Sequence, residues 1–237
     1  MIGYPASALR MPRVRFLAAL VGCLSFSGVF AAPFAVQLGD TRVALDAPPG
    51  FADVQGTGSP RLLELAEALT SASNRILLFA LEDADVRRFN VGDSPELRRY
   101  VIVVTPKGLE SGRVTAAAFG TLVSDSLREL GSPPGADADL RTHLDAQARG
   151  RTVLLAELRK NQDVASVLQG VRLPDPQGTK SAPARYVLST TTLMLVRGKA
   201  LNLSIYTLYD RTADLDWVRA TTARWVEELQ RLNLRVQ

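Results

Sequence analysis

Apolar and polar positions alternate from the first strong element onward. Phe34, Val36 and Leu38 alternate with small or polar neighbours, as do Val43 and Leu45. Gly39-Asp40 between them supplies the positive φ that a tight turn needs, so the pattern predicts a hairpin over 34–45. Ala47-Pro-Pro-Gly50 ends it, because proline cannot continue a ladder. Gln55 to Ser59 reads as loop. Ser59-Pro60 opens a helix, with serine as the expected acceptor of early N–H groups and Leu62, Leu65, Ala66 and Leu69 as the buried stripe. Arg75 to Leu81 is short and continuously apolar, the pattern of a buried strand. Tyr100 to Val104 is β-branched and stopped by Pro106, the pattern of another. Between them, Glu82 to Arg99 reads as a long polar connection with a helical turn at Asp93–Leu97.

A helix is expected over Ala116–Leu130, with Thr115 as cap, Gly131 as stop, and Phe119, Leu122, Val123, Leu127 and Leu130 on one side. Asp139–Glu157 is ambiguous, with a helix around Leu140–Ala148. Val164–Leu173 reads as a strand, and Pro174–Pro183 as a loop too short to separate domains. Tyr186–Val196 and Leu201–Tyr206 flank Arg197-Gly-Lys199 as a second hairpin, with Leu201, Leu203 and Ile205 on its dry face. Asp210 or Thr212 starts the last helix, whose seam is Leu215, Val218, Thr222, Trp225, Leu229 and Leu232. The expected order, β-β-α-β-β-α-(α)-β-β-β-α, predicts one α+β domain over residues 32–237. Its sheet is largely antiparallel and flanked by helices, with a long C-terminal helix.

The residues before the hairpin change where this domain is expected to work. Arg10, Arg13 and Arg15 precede the apolar run Phe16–Ala32, and residues 1–31 read as a secretory signal peptide cleaved after Ala31. Two other fates stay open. Leu20-Val-Gly-Cys23 looks like a lipobox, which would acylate Cys23 and give a membrane-anchored lipoprotein. Phe16–Leu38 is also uncharged over 23 residues, enough for an uncleaved anchor. Each fate places the bulk of the chain outside the cytoplasm, in the periplasm or beyond.

The formal charge of +4 is carried mostly by that leader. Without its three arginines and no acids, the balance is 25 minus 24, or +1. Nucleic-acid binding, which needs a clustered basic surface, is therefore not expected. One cysteine and one histidine, Cys23 and His143, leave no disulfide framework, Cys/His zinc site or Cys–His catalysis to assemble. His143 lies in Arg141-Thr-His-Leu-Asp145 with no Gly-x-Ser-x-Gly elbow to serve. Gly56-Thr-Gly58 lacks the further glycine and the lysine of a phosphate cradle. No catalytic, cofactor-binding or metal residue is assigned, and no cofactor is expected.

What remains is acids, arginines and tryptophans. Glu82, Asp83 and Asp85 cluster at a strand end, where a carboxylate-dependent hydrolase would place its pair; a solvated, ion-paired loop is the ordinary reading. Arg87-Arg88 and Arg98-Arg99 would grip an anionic partner if they were not interleaved with Glu82, Asp83, Asp85, Asp93 and Glu96. Trp217 and Trp225 are eight residues apart, about 80° around a helix, so Trp225 joins the seam while Trp217 faces a neighbouring loop or a partner.

Taken together, the Pro48-Pro-Gly-Phe51 opening, the Tyr186–Tyr206 hairpin and the Trp-bearing last helix resemble the PsbP-like and DcrB-like secreted proteins. Thr190–Lys199 with Asp216-Trp217 is similar to uncharacterised secreted proteins of Gram-negative bacteria. The resemblance implies an α-β-α sandwich and an accessory or binding role, with no residue roles to carry over. The expected function is that of an exported, non-enzymatic accessory or binding protein, its partner another envelope protein. Membrane contact is expected only through the N-terminal segment. The alternatives are the hydrolase centred on Glu82–Asp85 and a small-ligand or lipid carrier with an apolar cavity.

Overall fold

The computed structural model describes residues 33–135, 138–174 and 183–235. The expected signal peptide, Cys23 and most of the Pro174–Pro183 loop lie outside the described residues. The first hairpin is β1 (Phe34–Leu38) and β2 (Thr41–Leu45), paired antiparallel around Gly39, whose φ is 55°. It forms a two-stranded sheet of its own.

The main sheet takes its strands from the rest of the chain: β3 (Phe51–Asp53), β4 (Asn74–Glu82), β5 (Arg99–Pro106), β6 (Thr152–Lys160), β7 (Val164–Arg172), β8 (Tyr186–Val196) and β9 (Lys199–Leu208). Their spatial order is β3-β4-β5-β9-β8-β7-β6, and every neighbouring pair is antiparallel. The β8–β9 turn places Arg197 at φ 53° and Gly198 at φ 80°, two consecutive positive values that suit the right-handed twist of a tight hairpin. The helices are α1 (Pro60–Ala68), α2 (Asp83–Asn90), α3 (Ala116–Arg128), α4 (Leu140–Asp145) and α5 (Thr212–Arg235).

Helices cover both faces, which explains why β4 and β5 are apolar without alternation. On one face, Val218, Trp225 and Leu229 of α5 pack with Leu45 of the hairpin, Leu144 of α4, and Leu78, Val103 and Leu203 of the sheet. Trp225 is 2% exposed and donates its indole N–H to the Asp46 carbonyl at 2.7 Å. Truncating so large a buried side chain to alanine costs about 3–5 kcal/mol. On the other face, Leu62 and Ala66 of α1 with Val86 and Phe89 of α2 cover Phe79, Leu81 and Ile102. Phe119 and Val123 of α3 cover Ala165 and Ala200. The chain is thus a single α+β domain with a large antiparallel sheet between helices and a long C-terminal helix, as its pattern predicts.

Several local expectations are corrected. The helix in the 82–99 connection is α2, not a turn at 93–97, where Leu97 has a left-handed φ of 54°. The ambiguous 139–157 segment divides: α4 takes 140–145, stopping short of the expected Ala148, and the strand β6 begins at Thr152. Register shifts within 154–156 and 157–159 break its period of two. Ser59 stands at the start of α1 but makes no side-chain capping bond, whereas the Thr115 hydroxyl accepts from the Ala118 N–H. The three-residue strand β3 also adds to the expected order. Ser204 on the wetter side of β9 is itself buried, because that face too is covered.

Candidate functional site

One end of the sheet gathers arginines and aromatic rings. The register brings Arg99 of β5 opposite Thr207 of β9, with Leu81 of β4 opposite Tyr100, so that Glu82 follows beside Arg99. Over them passes the first turn of α5. The Arg99 guanidinium lies 4.1 Å from the centre of the Trp217 ring and donates to Asp214 at 3.1 Å. Glu82 stands 3.6 Å from its other nitrogen. Phe51 of β3 packs against the far side of this group, its ring 6.1 Å from that of Trp217.

Asp214 is the hub. It is 4% exposed, and it accepts from the N–H groups of Asp210 and Arg211, each at 3.1 Å, as well as from Arg99. Burial pushes its carboxyl up, but those hydrogen bonds and the guanidinium outweigh burial and hold it below the usual carboxylate range. Glu82 goes the other way: burial raises it, partly opposed by Arg99.

A second stack lies further along the same end. Arg141 of α4 sits 5.5 Å from the Tyr186 ring centre and 5.1 Å from that of Tyr209, and it donates to the Asp210 carbonyl. Tyr209 is fixed by its N–H to the Tyr186 carbonyl, 2.9 Å. The Tyr186 hydroxyl donates to Asp145 at 2.8 Å, and Arg172 of β7 stands 3.5 Å from the same carboxylate. Burial pushes the Tyr186 phenol up, and Asp145 adds to the shift. Arg98 bridges the two stacks by pairing with the Asp210 carboxylate.

The residues singled out in the sequence are placed variously. Arg98, Arg99 and Trp217 come together here. Trp217 faces Phe51 and Arg99 rather than open solvent, and Trp225 is in the core. Arg87 is exposed at the end of α2, and Arg88 pairs with Glu96. Glu82, Asp83 and Asp85 take separate tasks. Glu82 meets Arg99, Asp83 is exposed, and Asp85 is buried with its oxygens accepting from the N–H groups of Glu96 at 2.9 Å and Leu97 at 3.0 Å. Asp85 therefore ties the connection after α2 to that helix. His143 is half-buried in the last turn of α4, and Gly58 turns the chain into α1 with φ 64°. Sequence reading missed Arg141, Asp145, Arg172, Tyr186 and Tyr209, because strand order alone makes them neighbours. Among the described residues, no group of three or more His, Cys, Asp or Glu side chains is arranged to hold a metal, and no helix is long and apolar enough to cross a membrane.

Chemically, this end offers guanidinium forks held rigid against rings, beside carboxylates already engaged. That arrangement suits recognition of another surface.

No protein-family model and no curated protein matches the chain. Two similar solved structures are the Saccharomyces cerevisiae Ran-binding protein Mog1p and a point mutant of protein Mog1. Each is 13% identical with a TM-score of 0.36; each match covers 86% of this chain, and 93% and 94% of the respective structures. The expected membership of the PsbP-like, DcrB-like or Gram-negative secreted families is corrected accordingly: no such family matches, and the two solved structures named above are Mog1 proteins. The residues behind that resemblance (a Pro-Pro-Gly turn, a hairpin, a long amphipathic helix) are local solutions that unrelated α+β chains reach independently.

Proposed function

We propose that this chain is an exported, non-enzymatic binding protein, working in the periplasm or beyond, that docks a protein partner of the same compartment on its arginine–aromatic end. The observation that carries the reading is the pair of preformed stacks, Arg99 on Trp217 and Arg141 on Tyr186 and Tyr209. Trp and Arg are among the side chains enriched at the energetic centres of protein interfaces, and the buried Tyr186 and Tyr209 serve here as the platform under Arg141. Here they are already immobilised by Asp214, Asp210 and the strand ends, so little side-chain entropy remains to be lost on association. The leader-like N-terminal segment supports export, and the near-neutral balance of the remaining chain fits a protein partner better than nucleic acid.

The test is site-specific photocrosslinking in intact cells. A benzophenone side chain at the exposed positions 149, 185 or 211 is expected to give a discrete adduct in the envelope fraction. Positions 42 and 224, remote in the fold and also exposed, are expected to give none. Arg141→Ala should abolish the rim adduct. Equal labelling from all five positions, or a chain retained in the cytoplasm, refutes the reading.

A further inference from the structure

The two stacks use their charge differently. Arg98, Arg99 and Arg172 all face carboxylates. Around them stand Arg141, Arg149, Arg151, Arg185 and Arg211, every one exposed and, among the described residues, in no ion pair with a carboxylate. The backbone places them side by side. The Gly150 N–H, between Arg149 and Arg151, donates to the Arg172 carbonyl at 2.8 Å, and the Leu173 N–H donates to the Arg185 carbonyl at 2.8 Å. Arg172 is directly opposite Tyr186, on which Arg141 rests. Arg211 follows Asp210, whose carbonyl Arg141 holds. A domain whose balance is close to neutral thus concentrates uncompensated guanidinium groups at one end.

We infer that these five arginines receive an acidic polypeptide segment of the partner, an inference that rests on the docking reading above and names the chemistry docked. Guanidinium forks match carboxylates two bonds at a time, and Arg141 shows how the site holds such a fork, near two rings while one of its nitrogens donates to the chain's own Asp210 carbonyl. An anionic bilayer fits less well. Peripheral membrane binding joins basic charge to apolar side chains that enter the lipid. The large exposed apolar residues among those described, Leu63, Val91 and Leu234, are in α1, after α2 and near the end of α5, not in the segments that carry the five arginines. Tyr186 and Tyr209 are 4% and 9% exposed beneath Arg141 and are not free to insert.

Fluorescence anisotropy with a labelled oligoglutamate peptide tests this on the full-length protein. Binding is expected to saturate and to weaken as salt shortens the reach of exposed charge. The variant Arg149→Glu/Arg151→Glu/Arg185→Glu should bind roughly tenfold or more weakly, the scale of three exposed pairs lost together. The charge-matched variant Arg42→Glu/Arg128→Glu/Arg224→Glu should bind as the parent does, and matching urea midpoints would show that both fold. Equal loss in the two variants, or no saturable binding, overturns the inference. Flotation with phosphatidylglycerol vesicles is the competing arm: vesicle binding abolished by the rim variant, with peptide binding absent, assigns the arginines to membrane instead. A discrete crosslinked adduct without oligoglutamate binding would leave the docking surface standing and remove only its acidic partner.

Discussion

Replacing Lys199 with methionine keeps the length of the side chain and deletes its ammonium. That ammonium is 2% exposed and donates to three backbone carbonyls, those of Glu110 at 3.1 Å, Ser111 at 3.3 Å and Gly112 at 2.8 Å. Asp40, in the turn of the first hairpin, approaches it at 3.5 Å but is itself 90% exposed. Lys199 therefore joins three pieces that share no sheet: the β1–β2 turn, the 107–112 segment and the start of β9. A hydrogen bond from a charged donor contributes about 1.5–3 kcal/mol net, and a carbonyl left unmatched costs about as much. Against three such bonds stands the desolvation of the ammonium, several kcal/mol, which the methionine variant no longer bears. The expected net loss is about 2–4 kcal/mol, a fall in midpoint temperature of about 5–12 °C for a domain of this size. Urea unfolding followed by tryptophan fluorescence reads it, since Trp225 is buried in the native state. Lys107→Met is the control: its ammonium also meets a carbonyl, that of Ala72 at 2.8 Å, but at an exposed site. A loss below about 1 kcal/mol for Lys199→Met, or one equal to the control, refutes the clamp.

Asp46→Asn is expected to stabilise the protein at neutral pH. Burial raises the Asp46 carboxyl above its ordinary value, with Glu228 adding to the shift against the Ala47 N–H, so ionisation is disfavoured in the folded state. That penalty is absent below the unfolded-state value and grows as pH rises through the folded one, so urea midpoints of parent and variant should converge in acid and separate at neutrality. Asp214→Asn runs the opposite way. Its lowered carboxyl contributes stability that is present above the unfolded-state value and lost as pH falls through the folded one, so the variant should be weaker at neutral pH, by about 1–3 kcal/mol, and the difference should shrink in acid. Asn233→Ala removes two bonds to Ala44, one accepted from its N–H and one donated to its carbonyl, both 2.9 Å. Hydrogen exchange at Ala44 should accelerate well before that of the β8–β9 hairpin, with a total loss of about 1–3 kcal/mol.

What was legible in the chain followed from how locally each element is determined. The two hairpins, the strands β4 and β5, the helix α3 with its Thr115 cap and the seam of α5 all announce themselves by period and by turn chemistry within a dozen residues. The helix α2 did not, because its buried face is narrow. Val86 and Phe89 carry it, and between charged neighbours the inward-pointing Asp85 looks like one more surface acid. The strand β6 hid behind its bulges. At the candidate site the legible part was chemical and the illegible part geometric. Arg98, Arg99 and Trp217 attract notice as residue types, but Arg141 reaches Tyr186 and Tyr209 only because β5-β9-β8-β7 is the order of the sheet. Nothing in a single sequence states that order.

The first hairpin has an uncommon dependence on the far end of the chain. Along the outer side of β2 and just past its end, the carbonyls of Arg42, Ala44 and Asp46 are met not by a strand but by side chains: Arg197 at 3.3 Å, Asn233 at 2.9 Å and Trp225 at 2.7 Å. These partners are 155, 189 and 179 residues away in sequence. A ribosome or a translocation channel releases β1 and β2 well before these mates. Until α5 has emerged, the hairpin has an unsatisfied edge and no seat, so its docking waits on α5. Trimming α5 should therefore be felt first in the β1–β2 hairpin.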